Sequence, residues 1–164
     1  MRWISFLCYP LLTGVISCSG PVDLKVEEDT IRAVIEEEKD GYLTRDVERI
    51  RKTWIQDSNS RKIFLSERGV TYLNGWEMVD NDHIRASESE MWDNVEDLGV
   101  EFSDYEYNIT GNTAVVFFNS AWSGICYERE LDYVQKRILH LVKVNGNWKL
   151  DLMTIFTVPD ESQE

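Results

Sequence analysis

Apolar residues recur at helical spacing in two early stretches of the chain. Leu24, Ile31, Val34, Ile35 and Tyr42 fall near a 3.6-residue period and predict a first helix whose end Gly41 weakens. One acidic residue, Glu38, interrupts that stripe between Ile35 and Tyr42. Asp46 stands where an N-cap belongs, ahead of Val47, Ile50 and Trp54 in a second helix that turns Arg45, Arg49, Arg51 and Lys52 outward. Ile63 to Leu65 and Val70 to Leu73 flank Ser66-Glu67-Arg68-Gly69 and predict a small hairpin; a third helix is expected from about Trp76 or Asp80 to about Val95. From Val100 onward the pattern becomes that of strands. Val100 to Ile109 and Thr113 to Trp122 flank Gly111-Asn112, and about Glu130 to Val144 and Asn147 to Phe156 flank Asn145-Gly146, both strong two-residue hairpin signals. Helices followed by a long antiparallel meander is an α+β order.

Counting outward from a two-residue turn at Asn145-Gly146 pairs Val144 with Asn147, His140 with Asp151, Leu139 with Leu152 and Arg137 with Thr154. Side chains alternate along a strand, so this register assigns faces. Leu139, Leu141, Trp148, Leu150 and Leu152 form an apolar face that carries Arg137 and Thr154 inward, while Ile138, His140, Asp151, Met153 and Ile155 point the other way. Around Gly111-Asn112 the same count puts Tyr105, Tyr107, Ala114, Val116, Phe118 and Trp122 on the core face and Val115, Phe117 and Asn119 on the opposite one. An outer face bearing Val115, Phe117, Ile138, His140, Met153 and Ile155 predicts a homodimer contact and gives His140 an interface role rather than a catalytic one.

The N-terminus differs in kind from the rest. Arg2 precedes an uncharged, mostly apolar run from Trp3 to Ile16, about 14 residues, short for a transmembrane span of roughly 20. Residues 1–17 therefore read as an export signal. Its end, Val15-Ile16-Ser17-Cys18, resembles the bacterial lipoprotein cleavage box, in which the cysteine is acylated; several acyl chains on Cys18 would give stable anchoring to the cell envelope, on its periplasmic or surface side. Residues 18–23 are then the lipidated cysteine and a linker, 24–158 the domain, and 159–164 a polar tail. Cys8 leaves with the signal and Cys126 remains a single structural thiol, so no disulfide framework is available.

The chain of 164 residues, 43% hydrophobic and 12% aromatic, suffices for one domain with a substantial core. Seventeen basic against thirty acidic side chains give a net charge of -13, which repels phosphate backbones and argues against nucleic acid as a partner. Two distant histidines, and an Asp80-Asn81-Asp82 run without the glycine and distal glutamate of a calcium loop, predict no metal site; no glycine-rich phosphate loop or other cofactor signal appears.

The domain resembles the SnoaL-like branch of the nuclear-transport-factor-2-like superfamily. The resemblance is carried by Ile31-x2-Val34-Ile35, Asp46 opening the second helix, Trp54, Gly75-Trp76-Glu77, Gly111-Asn112-Thr113-Ala114-Val115-Val116 and Val144-Asn145-Gly146-Asn147-Trp148-Lys149-Leu150. It implies a cystatin-like cone, with N-terminal helices packed on a curved antiparallel sheet around a pocket. The ketosteroid isomerase relatives carry an oxyanion-donating tyrosine where this chain has Glu38 and a glycine where it has Arg45; SnoaL-like relatives commonly have a histidine where it has Thr154.

By this resemblance Glu38 and Arg137 point into the pocket, with Tyr105, Tyr107, Trp54, Trp122 and Thr154 as further lining candidates. A buried carboxylate must protonate, find a cation or see water. Three readings follow. Glu38 and Arg137 could form an ion pair closing a filled core, leaving an interaction module; they could line a pocket for a small amphipathic molecule; or Glu38 could act as general acid or base beside Tyr107 or Tyr105 in an isomerase, dehydratase or hydrolase.

Overall fold

The structure, a computed structural model, describes residues 23–157. The expected export signal, Cys18 with the rest of its expected linker up to residue 22, and the chain from residue 158 on lie outside the described residues.

Helix α1 spans Leu24–Leu43 and is opened by Asp23, whose carboxylate accepts from the Lys25 amide. It buries Ile31, Ile35, Glu38 and Gly41, so the stripe continues through the glutamate as the spacing predicts. Gly41 does not weaken the helix; it is its closest point of approach to α2, Val47–Thr53. Asp46 caps α2 through the Arg49 amide at 2.9 Å. Arg49 does not simply face solvent but holds Glu37 with two 2.7 Å bonds, and Arg51 forks onto Asp80 in the same way, fastening α2 to α1 and α3. Strands β1, Arg61–Ser66, and β2, Gly69–Asn74, form the predicted hairpin. Helix α3, Trp76–Ser87, is shorter than expected: a 3-10 turn, Glu90–Asn94, follows it, and Val95 already belongs to a strand.

Four long strands complete the sheet: β3 Val95–Thr110, β4 Thr113–Cys126, β5 Arg129–Val144 and β6 Asn147–Thr157. The order is β2-β1-β6-β5-β4-β3. The sheet is mixed rather than wholly antiparallel, because β1 lies parallel to β6. A third two-residue turn joins β4 to β5 through Tyr127 and Glu128, both at positive φ (49° and 62°) without glycine or asparagine.

Three β-bulges curve the sheet. Asp97 and Asp104, each at positive φ, mark two in β3, and the third lies in β6 between the pairs Leu141↔Leu150 and His140↔Leu152. That last bulge overturns part of the expected register. Asp151 is the extra residue, so Arg137 opposes Ile155 and Leu139 opposes Met153, and every side chain beyond Asp151 changes face. Met153 and Ile155 are therefore buried inside (1% and 6% exposed), not on the outer face, while Thr154 pairs with Ile138 and turns to the opposite side of the sheet, where it is still buried. Val115, Phe117, Ile138 and His140 keep their outer placement, and His140 Nδ1 lies 2.6 Å from Asp151 Oδ1.

The filled core sits at one end of the cone, where Ile31 and Ile35 of α1 and Ile50 of α2 pack on Ala114, Val116, Leu139, Leu141 and Leu150. Each fully buried aliphatic side chain there contributes about 1.5–3 kcal/mol. Toward the Tyr127-Glu128 turn the helices no longer fill the concave face.

Candidate functional site

That unfilled end encloses a cavity of about 330 Å³. Its walls come from the last turns of α1, from β1, α3 and the 3-10 turn, and from the halves of β3 to β6 nearest the Tyr127-Glu128 turn. Apolar groups such as Phe64, Phe102, Trp122, Met153 and Ile155 supply most of the surface. The alternation that places Leu139 in the core continues down β5 through Arg137, Gln135, Tyr133 and Leu131, and all four line the cavity.

Glu38 and Arg137 both face this space, 4% and 8% exposed. They form no ion pair: among the described residues Glu38 has no cation within 4.0 Å and no hydrogen bond, which removes the reading of a core closed by this pair. Arg137 makes one hydrogen bond, Nη2 donating to Gln135 Oε1 at 3.3 Å, and its buried Nε has no partner. The guanidinium carbon lies 5.6 Å from the Phe102 ring centre and 5.8 Å from that of Trp122, close enough for both ring faces to attract the cation. Trp122 in turn donates its indole N–H to Gln135 Oε1 at 3.1 Å, fixing the amide that orients Arg137. Burial lowers the Arg137 pKa, opposed chiefly by the Glu38 charge. Burial likewise raises the Tyr42 and Tyr133 phenols, which stay neutral donors in the same cavity.

The remaining lining charges are paired. Lys62 donates to Asp82 at 3.1 Å, and Lys39 holds Glu36. Glu38 and Arg137 are thus the ionic side chains of the cavity without an ionic partner among the described residues.

Of the other sequence candidates, only Trp122 joins them. Tyr105 and Tyr107 face inward but lie beyond the cavity, where Tyr105 donates to Glu36 Oε1 at 3.1 Å and Arg32 Nε donates to the Tyr107 hydroxyl at 3.2 Å. Neither tyrosine lines the cavity with Glu38, so they do not form the acid–base group expected of them. Trp54 is buried against His83 and Trp76, at centroid distances of 5.6 and 6.5 Å, outside the cavity, and Thr154 is on the outer face. Sequence reasoning missed Tyr133, Gln135, Lys62 and Asp82. The first two were readable from the period-two pattern that located Arg137; the last two depend on how β1 and α3 meet. Among the described residues no three His, Cys, Asp or Glu side chains are grouped to hold a metal ion, and no helix is long and apolar enough to cross a membrane.

No family model matches the chain, and no curated protein matches it in sequence. Solved structures match its shape. A nuclear-transport-factor-2-like protein from Cytophaga hutchinsonii superimposes with a TM-score of 0.62 at 21% identity, over 80% of this chain and 98% of that one. A protein of the same kind with a cystatin-like fold from Novosphingobium aromaticivorans gives 0.66 at 10%, over 85% and 86%. A proposed dehydratase of the nuclear-transport-factor-2-like family from Streptomyces avermitilis gives 0.66 at 12%, over 83% and 99%. At such identities the likeness is one of fold, and the chain has the nuclear-transport-factor-2-like, cystatin-like fold.

Proposed function

We propose that this protein is an envelope-anchored binding domain that holds a small amphipathic molecule in the open end of its cone. The observation that carries the reading is the cavity itself: about 330 Å³, largely apolar, with a few convergent polar groups, at the small end of the range for ligand sites. Anchoring rests on the sequence, on the run Trp3 to Ile16 and the Val15-Ile16-Ser17-Cys18 box. Two measurements test the proposal. The neutral fluorophore N-phenyl-1-naphthylamine should bind the folded protein with one-to-one stoichiometry, and Ala86→Trp, which fills the cavity from α3, should abolish binding without lowering the melting temperature. No saturable binding, or binding unchanged in Ala86→Trp, counts against the pocket. Cys18→Ala should release the protein from membranes; persistent membrane association counts against acylation.

A second reading, general acid–base chemistry by Glu38 on a bound substrate, is favoured by the burial of that carboxylate in the cavity without a cation. The description of the Streptomyces avermitilis protein as a proposed dehydratase is compatible with it. Its test is turnover that disappears in Glu38→Gln while binding remains.

A further inference from the structure

The polar half of the cavity is unevenly satisfied. Its wall holds three cations, Lys39, Lys62 and Arg137, and two anions, Glu38 and Asp82, and Glu36 just outside it matches Lys39. Lys62 is neutralised by Asp82, and Lys39 by Glu36. What remain are Glu38 and Arg137, and of the two Arg137 has the unmet donors: it is more than nine-tenths buried, with Nε unpartnered, Nη1 making no hydrogen bond among the described residues, and Nη2 holding only a long bond to Gln135. A buried guanidinium left this way is costly unless a partner arrives, because removal from water is not repaid by hydrogen bonds. Its planar fork matches a carboxylate, which can accept two parallel N–H bonds. Phe102 and Trp122 hold the guanidinium plane on the wall, and the apolar surface continues beyond them to Met153 and Ile155.

We infer that the cavity is selective for an amphipathic monoanion, a small carboxylate whose acidic head is received by the fork of Arg137 and whose apolar body fills the space toward Phe64, Met153 and Ile155. The inference rests on the pocket reading above and specifies its ligand class. Glu38, which lines the same cavity from α1, sets the limit at one charge, since a second negative group on the ligand would meet its carboxylate.

Calorimetric titration with octanoate, octanol and octylammonium, three chains that differ only in the head group, tests this. Octanoate should bind about ten- to a hundredfold more tightly than octanol, as a charge-assisted hydrogen bond in a dry site provides. Arg137→Met should bring octanoate down to the affinity of octanol, lowering octanoate far more than octanol. Glu38→Gln, which leaves the fork intact, should tighten octanoate and not octanol. Equal binding of octanoate and octanol would overturn the inference and leave the amphiphile pocket standing. Tightest binding of octylammonium would overturn it in favour of Glu38 as the selecting group, and an octanoate preference that survives Arg137→Met would remove Arg137 from the site. If none of the three binds, the inference and the pocket reading fall together.

Discussion

His83 shows how far local surroundings can move a side chain from its solution behaviour. It is 1% exposed, its two ring nitrogens have no hydrogen-bond partner among the described residues, and it packs between the rings of Trp54 and Trp76. Burial, with the charges of Lys62 and Arg51 adding to it, pushes its pKa from 6.5 down to about 2. The folded state therefore holds His83 neutral where the unfolded chain would protonate it. A depressed folded pKa means stability that is fully present above pH 6.5 and is lost as pH falls, because the unfolded state binds the extra proton. The slope should approach about 1.4 kcal/mol per pH unit below that point. Glu27, held low by Lys143 and Trp148, and Glu37, held low by Arg49, act in the same direction but only below their ordinary value of 4.5. Urea unfolding between pH 6.5 and 5 thus isolates the histidine, and His83→Leu should flatten the dependence there. An unchanged slope in that variant would mean that His83 is not the group responsible. Glu38 and Arg137 behave differently: both are buried, but they border a cavity, and their unmet bonding capacity faces a space that a ligand can enter.

At the scale of elements, the packing of α1 on α2 depends on a missing side chain. A Cβ on Gly41 would lie 2.8 Å from Ile50 Cγ1 and 3.1 Å from the Ile50 amide nitrogen. Alanine in a helix interior is ordinarily worth about 1 kcal/mol over glycine. Here Gly41→Ala should instead cost about 1–3 kcal/mol in denaturant unfolding, because α2 must be displaced. A stabilised variant would show that the contact is slack. The same glycine illustrates what was legible in the sequence. Helical periodicity located α1 and the burial of Glu38, and Asp46 marked the start of α2; what Gly41 does depends on Ile50 and was invisible from its own stretch. The turns at Gly111-Asn112, with positive φ at Gly111, and Asn145-Gly146, with positive φ at both residues, could be read because glycine and asparagine favour it, whereas Tyr127-Glu128 takes positive φ at both positions with residues that do not advertise it. The bulge at Asp151 had no readable signal, and it put Met153 and Ile155 on the concave face of the sheet in place of Thr154. The parallel pairing of β1 with β6 joins segments some ninety residues apart in sequence, so no local pattern could have announced it.

As a whole molecule, the cone is packed at one end and open at the other. The narrow end, where the Gly111-Asn112 and Asn145-Gly146 turns lie, is closed by α1 and α2 and supplies the stability. The end near the Tyr127-Glu128 turn holds the cavity, where an otherwise apolar wall carries Glu38 and Arg137 without ionic partners among the described residues. A net charge of -13 disfavours phosphate-rich partners, and the inferred ligand is one that brings a single negative group on a small apolar body to Arg137. The most direct measurement is an octanoate titration followed by two-dimensional amide correlation spectra. Binding in the cone should shift the Trp122 indole N–H and the Gln135 and Arg137 amides together, saturating on a single curve, and leave the Val115 and Phe117 amides of the outer face in place. Spectra unchanged at millimolar octanoate, or shifts confined to the outer face, would contradict a ligand site inside the cone.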